Sequence, residues 1–322
     1  MTKIGLIGCG MWGRNLARNL AQLDALHCVA DLSPANADAF AAQFDTVALS
    51  VDDLIANKEI VGVALATSAP SHVALGIRVL AAGKHLYVEK PLTLTLADAL
   101  EIEAAATAAN KQVMVGHLIR YHAAFQELQS QVTGGAIGQL RHVQANRLAM
   151  GRIRNTESVL FDLCPHDLSL ILALMGSAPI KVACAGVSHV TPGVVDVLST
   201  TLGFSEGRSA NMQTSWISPY KEHRLTVSGS AGSLVFDDTK SWPEKLTLFQ
   251  DHIRPDGEGF VIERASPISL PVSEGEPLKD EMRTFIACCA QNQPAPTDIN
   301  EALRVQRVLE DMQSVLTDTN TP

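Results

Sequence analysis

With 322 residues, 46% of them hydrophobic and 18% charged, the chain is long enough for two cores and has the composition of a globular protein, which excludes a disordered or fibrous one. Its net charge of −9 argues against a nucleic-acid partner, and no apolar run reaches the roughly 20 residues of a membrane-spanning helix. The six cysteines (Cys9, Cys28, Cys164, Cys184, Cys288 and Cys289) form no CxxC pair and no zinc-like spacing, so reduced thiols, a cytoplasmic setting, no membrane and no metal are expected.

The opening MTKIGLIGCG reads as a buried first strand, because its glycines and the lack of a small-residue cleavage site do not suit a signal peptide. After the strand Ile4–Ile7 comes Gly8-Cys9-Gly10-Met11-Trp12-Gly13, which fits GxGxxG and opens a helix over 12–23. Gly8 allows a tight turn, Gly10 lets the backbone approach a pyrophosphate, and Gly13 lets helix and strand pack closely. The helix start, with Met11 and Trp12, offers N–H groups and a positive dipole end to phosphates. A second strand, 26–30, ends at Asp31, 18 residues after Gly13. An acid there accepts from both adenosine ribose hydroxyls and repels a 2′-phosphate, which favours NAD over NADP. Ser33, just beyond it, is a further candidate cofactor contact, while the plainer reading makes Asp31 a turn residue completed by Ser33 and Pro34.

Strand-like runs continue at 61–66, His85–Val88 and Val113–Val115, with helical patterns at 72–82 and Leu96–Ala109 between them. This alternation predicts an α/β, doubly wound parallel sheet over residues 1–120. Ligands of such sheets bind beyond the carboxyl ends of the strands. Thr67 and His72, which follow one strand, and Glu89 and Lys90, which follow the next, are therefore candidate cofactor contacts. Lys90 would lie near the nicotinamide, although a surface lysine before a turn is the commoner case. Past the last strand, His117, Arg120 and Tyr121 are candidate substrate contacts at the exit into a second domain. The alternative for His117 is a satisfied structural histidine.

After about residue 125 the texture changes. A helix near 161–174 is followed by strand-like stretches at 180–190, 197–204, 209–216, 224–228, 233–236 and 246–249. With 140–149 they predict an α+β domain over 121–322 built on a large, open, mostly antiparallel sheet. Such an open face suits a homodimer or homotetramer interface. Helices at 279–290 and 300–316 close the chain, the second capped by Asp298, and could pack back near the first domain. In Asp162-Leu163-Cys164-Pro165-His166-Asp167, the proline belongs in a first turn, so a helix should begin near Leu163 with Asp162 as its N-cap. His166, beside Asp162, is a candidate general base, or else simply buried next to a capping acid.

The set GCGMWG, Asp31, VEKPL (88–92), GHLIRY (116–121), DLCPHD (162–167) and RLTVSGSAGSLVFDD (224–238), with the closing DEMRTFIACC and DINEALRVQRVLE, resembles the Gfo/Idh/MocA oxidoreductase family along nearly the whole chain. The resemblance implies a Rossmann domain and an open mixed sheet, with Lys90 catalytic, His166 the acid/base and Asp162 its partner. It also implies a cis Lys90–Pro91 bond. Ser169 stands where many relatives carry an Asp, and Cys164-Pro165 where many carry Gly, which counts against a polyol such as inositol. The stretch from Arg147 through Arg152, Arg154, Glu157 and Leu160 to His166 resembles the branch acting on nucleotide sugars, with the three arginines facing a UDP pyrophosphate. That implies NAD-dependent oxidation of the C3 hydroxyl of UDP-N-acetylglucosamine, a step in lipid A precursor synthesis. The rivals are a dehydrogenase or reductase of a free sugar or polyol, and an inactive sugar-sensing regulator.

Overall fold

The computed structural model describes residues 2–319. The chain divides into two compact units, Met1–Tyr121 with Glu276–Arg307, and His122–Gly275 with Val308–Pro322.

The first unit is built on six parallel strands: β1 Ile4–Ile7, β2 Leu26–Ala30, β3 Val47–Ala48, β4 Gly62–Leu65, β5 His85–Val88 and β6 Val113–Val115. Their order in the sheet is β3-β2-β1-β4-β5-β6, so the chain reverses direction across the sheet between β1 and β4. Helices α1 Met11–Gln22, α2 Pro34–Phe44, α3 Val51–Ala56, α4 His72–Ala81 and α5 Leu96–Ala109 make the crossovers. Both faces of the sheet are covered, because side chains alternate along each strand. Leu6, Val29, Ala64, Tyr87 and Met114 turn toward Leu16 and Leu20 of α1 and Phe40 of α2. Ile7, Ala30, Leu65, Val88 and Val115 turn toward Leu80 of α4 and Ile102 of α5.

The later segment of this unit closes the two layers. Met282 and Phe285 join the first core, and Ala302 and Leu303 join the second. Phe285 is fully buried, with its ring centroid 5.7 Å from that of Tyr87. The Val115 N–H donates to Thr297 O at 2.9 Å, and Asp298 Oδ1 accepts from the Glu301 N–H at 2.9 Å, which is the expected helix cap.

The second unit begins with helix α6 Ala123–Thr133 and holds an eight-stranded sheet. In chain order its strands are β7 Leu140–Met150, β8 Lys181–Val187, β9 Val197–Gly203, β10 Ser209–Ser215, β11 Ile217–Gly229, β12 Ser233–Asp237, β13 Leu246–Phe249 and, after a separate hairpin of β14 His252–Asp256 and β15 Gly259–Glu263, β16 Ile268–Ser269. The order is β16-β13-β12-β11-β7-β10-β9-β8, antiparallel throughout except for the parallel pair β7/β10. Two short helices, α7 Val159–Asp162 and α8 Cys164–Met175, lie between β7 and β8. Leu198, Leu202, Ala210, Met212, Leu225, Val227, Leu234 and Phe236 are buried, and they alternate with half-buried or exposed neighbours along their strands. The last helices are α9 Pro277–Gln291 and α10 Ile299–Thr319. Within the second unit, the Cys184 thiol lies 3.4 Å from Met312 O of α10.

The sheet is larger than the sequence pattern indicated. β11 starts at Ile217 rather than 224, because a register shift between Ile217 and Glu222 breaks its alternation. The β14/β15 hairpin escaped detection because Ile253, Phe260 and Ile262 are exposed, so its apolar residues mark no core. Among the described residues, no helix is long and apolar enough to cross a membrane.

One buried base in the first unit gives stability a pH dependence. His85 is buried, and its Nδ1 accepts the Gln112 N–H at 3.1 Å, so the folded ring is neutral. Burial, with some help from Lys111, lowers its pKa from 6.5 to about 4. The unfolded chain therefore takes up a proton that the folded chain refuses, and stability is lost as pH falls from about 6.5 toward about 4. Burial lowers His72 in the same direction. Denaturant unfolding across this window should show a shallower decline for His85→Gln than for the parent chain, and equal slopes would remove His85 as a source.

Candidate active site

The turn after β1 is shaped by clashes that only glycine avoids. Gly8 has φ +106°, and a Cβ there would sit 2.6 Å from Ala66 O of the neighbouring β4 end. A Cβ on Gly13 would collide with the Gly8 carbonyl oxygen. Gly10 differs: it is exposed, and nothing lies within 4 Å of its Cβ position. It is also the N-cap of α1 and supplies no side-chain cap. The helix thus presents uncapped N–H groups beside an open backbone, flanked by exposed Met11 and Trp12, which fits a dinucleotide diphosphate.

Asp31 closes the far side of this turn. Its Oδ2 accepts from the Cys9 N–H at 2.7 Å and its Oδ1 from the Ser33 N–H at 2.8 Å. The carboxylate ties the end of β2 to the glycine turn and to Ser33, the residue that precedes α2, and each oxygen keeps a further acceptor site. Burial, with Asp31 adding to it, pushes the Cys9 thiol up to about 12, which disfavours the thiolate.

The β5 end carries the second group of candidates. Lys90 is half-buried, and its peptide bond to Pro91 is cis. Glu89 is buried, with its Oε1 accepting from the Trp12 indole N–H and from the Tyr87 hydroxyl at 2.9 Å. Burial raises the Glu89 pKa, opposed by the bonds from Trp12 and Tyr87 and by Lys90. The Trp12–Glu89 bond joins the glycine turn to the Lys90 loop. Gly116, at the end of β6, leaves the space: a Cβ there would lie 2.6 Å from the Tyr87 hydroxyl and 2.9 Å from Glu89 Oε2.

Several expected ligand contacts face inward. His72 is 1% exposed, with Nδ1 3.1 Å from Pro91 O and 3.2 Å from Leu92 O, and Nε2 3.1 Å from Thr67 O. It ties the loop after β4 to the loop after β5. Thr67 is partly exposed and its hydroxyl accepts from Ser71 Oγ at 2.8 Å. His117 is buried with its Nδ1 2.7 Å from Glu301 Oε2, and the buried Tyr121 hydroxyl lies 2.8 Å from Thr297 Oγ1. Within this unit both side chains are turned toward the segment around the start of α10. Arg120 is half-buried, and burial lowers its pKa against the pull of Glu301.

In the second unit, Asp162 is the last residue of α7, and Leu163, not Asp162, holds the N-cap position of α8. The Asp162 carboxylate accepts from Arg154, whose Nη2 donates to Oδ1 at 2.9 Å. Arg154 also reaches Glu157 at 3.1 Å. Pro165 stands in the first turn of α8 as expected, with half-buried His166 next to it and the His166 N–H donating to Leu163 O at 3.2 Å. Arg147 on β7 grips Asp167 on α8 bidentately, Nε to Oδ2 at 3.0 Å and Nη2 to Oδ1 at 2.8 Å, with both side chains nearly buried. That pairing uses the Arg147 fork expected to face phosphate. Arg152 remains exposed. Ser169 is fully buried.

Pattern reading missed Tyr87, Asp167, Glu281 and Glu301. Glu281 had a signal: it lies four residues before Phe285 and one before Met282, on the apolar stripe of α9. Among the described residues, no three His, Cys, Asp or Glu side chains group as a metal site.

A family model described as an oxidoreductase family with an NAD-binding Rossmann fold (GFO/IDH/MocA) matches residues 2–117, and the GFO/IDH/MocA C-terminal domain matches residues 125–235. The chain is 31% identical over 302 residues to the UDP-N-acetylglucosamine 3-dehydrogenase of Acidithiobacillus ferrooxidans, covering 92% of this chain and 91% of that protein. A crystal form of that enzyme superposes with a TM-score of 0.86 at 26% identity over 99% of each chain. An oxidoreductase structure from Magnetospirillum magnetotacticum MS-1, named there as putative, superposes at 0.84 with 31% identity, covering 97% of this chain and 99% of that one. An inositol 2-dehydrogenase of Rhizobium meliloti is 24% identical over 317 residues, 94% of this chain and 92% of its own.

The glycines should separate by role. Gly13→Ala is expected to lower the thermal midpoint sharply or prevent folding. Gly10→Ala should keep the midpoint within about 2 °C, since a substitution meeting no neighbour costs little, while weakening NADH in a fluorescence titration. Equal effects of the two substitutions on folding would contradict this division.

Proposed function

We propose, since this chain belongs to the Gfo/Idh/MocA oxidoreductase family, that it is an NAD-dependent dehydrogenase of a nucleotide sugar, oxidising the C3 hydroxyl of UDP-N-acetylglucosamine to a ketone. The observation that carries this reading is the likeness along nearly the whole chain to the Acidithiobacillus UDP-N-acetylglucosamine 3-dehydrogenase. Asp31, at the end of β2, supports NAD over NADP, because a carboxylate repels a 2′-phosphate.

In this reading Gly8, Gly10, Met11, Trp12 and Gly13 hold the diphosphate through backbone N–H groups, and Asp31 holds the adenosine ribose. NAD⁺, when bound, accepts the hydride from C3. His166 takes the hydroxyl proton, and Asp162, itself fixed by Arg154, orients the imidazole. Lys90 stabilises the alkoxide that develops as the proton leaves, an effect that grows as water is excluded. Exposed Arg152 is the remaining candidate for the UDP diphosphate, since Arg147 grips Asp167 and Arg154 is shared by two carboxylates. The reading places the reaction in the cytoplasm, in lipid A precursor synthesis, with the open face of the second sheet as the interface of a homodimer or homotetramer.

The test is NADH production from a panel of UDP-N-acetylglucosamine, free N-acetylglucosamine and myo-inositol, each with NAD⁺ and NADP⁺. Turnover of UDP-N-acetylglucosamine with NAD⁺ alone is expected, and a preference for free inositol would overturn the substrate assignment. Lys90→Ala should change NADH affinity far less than turnover, which should fall by about two to four orders of magnitude, the range typical of a removed charge-stabilising or proton-transferring group. Near-normal turnover would remove Lys90 from the mechanism.

A further inference from the structure

Glu281, on α9, is 0% exposed. No basic side chain pairs with it among the described residues, and its electrostatic neighbours are Glu89 and Tyr87. Glu281 Oε2 lies 3.1 Å from the Tyr87 hydroxyl oxygen, and that same oxygen lies 2.9 Å from Glu89 Oε1. The second oxygen of Glu281, Oε1, is buried with no hydrogen-bond partner. A phenol has one proton to donate, so two ionised carboxylates cannot both be satisfied by Tyr87. The second close contact needs a proton from one of the carboxyl groups.

The surroundings decide which one. Glu89 also receives the Trp12 indole N–H and sits beside the Lys90 ammonium, both of which favour its ionised form. Among the described residues, Glu281 has neither a second donor nor a cation. An orphaned buried oxygen is far less costly as the carbonyl of a neutral acid than as half of a carboxylate. Tyr121, the other titratable group felt nearby, has its hydroxyl 2.8 Å from Thr297.

We propose that Glu281 is a neutral carboxylic acid whose O–H donates to Tyr87, so that the Tyr87 O–H is turned onto Glu89 and fixes it as the anionic anchor of the Trp12 indole. Glu281 and Tyr87 are then positioning residues for the dinucleotide site: they act through Glu89 on the glycine turn and on the backbone that carries Lys90. Burial, with the charge of Glu89 adding to it, raises the Glu281 carboxyl well above the usual range, in keeping with this assignment. The consequence for cofactor binding rests on the glycine-turn reading above, whereas the protonation state does not.

Infrared spectra of the ligand-free protein at about pH 8, where exposed carboxyl groups are ionised, test the protonation state directly. The parent chain should show the C=O stretch of an un-ionised carboxylic acid, and Glu281→Gln should abolish it. The carboxamide of Glu281→Gln still donates to Tyr87, so its NADH affinity should stay within about threefold of the parent. Tyr87→Phe, nearly isosteric, breaks the chain and should weaken NADH about tenfold, the size of one lost hydrogen bond. A band that survives in Glu281→Gln, an affinity in that variant as low as in Tyr87→Phe, or an unchanged affinity in Tyr87→Phe would each overturn the proposal. None of these measurements uses a sugar, so failure of the substrate assignment and failure of this inference are separable.

Discussion

The hydrogen bond from the Trp12 indole to the Glu89 carboxylate is the constraint on which the candidate cofactor site turns. Two loops leave the carboxyl ends of β1 and β5, and no ladder bond joins them, because β4 lies between those strands. A side-chain bridge has to span that gap. The bridge needs an indole at the second helical position of α1 and an acid immediately before Lys90. It also needs a glycine at 116, since any side chain there would fill the space occupied by the Tyr87 hydroxyl and Glu89. His72 does comparable work one layer away, joining the loop after β4 to the carbonyls that follow the cis peptide. Polar contacts of this kind are costly to bury unless all are met, and here they hold the loops in one arrangement.

Much of this was legible in the sequence because it rests on local rules. The glycine turn needs two positions without a Cβ, and GCGMWG supplies them, Gly8 ahead of α1 and Gly13 in its first turn. Strands buried on both faces read as short apolar runs, and Ile4–Ile7 and His85–Val88 fall where those runs do. Pro165 marked the first turn of α8, and Asp298 marked the cap of the last helix.

What escaped depends on partners far away in the chain. Nothing near His117 announces Glu301, and nothing near Arg147 announces Asp167, so these pairings could not be read from local sequence. The spacing of Asp162 from Pro165 suits a cap, but a short helix that ends at Asp162 leaves Leu163 in the cap position, and no proline or glycine announces that helix. Periodicity also fails where both faces of an element meet water. The β14/β15 hairpin, with Gly257 at φ +60° in its turn, is formed from residues that bury almost nothing.

The single parallel pairing in the second sheet has a consequence for assembly. Strands β7 and β10 cannot meet through a hairpin, so everything between them, including α7, α8, β8 and β9, forms one long crossover. The helix bearing His166 lies inside that crossover. It is fastened at its start to both strands, by Asp167 to Arg147 on β7 and by the Cys164 thiol to Thr214 on β10, and those two strand residues are direct partners in the ladder. Contacts between distant segments form slowly because a long loop must close first. The two side-chain ties at the start of the helix bearing His166 can therefore both be made only once β10 lies alongside β7.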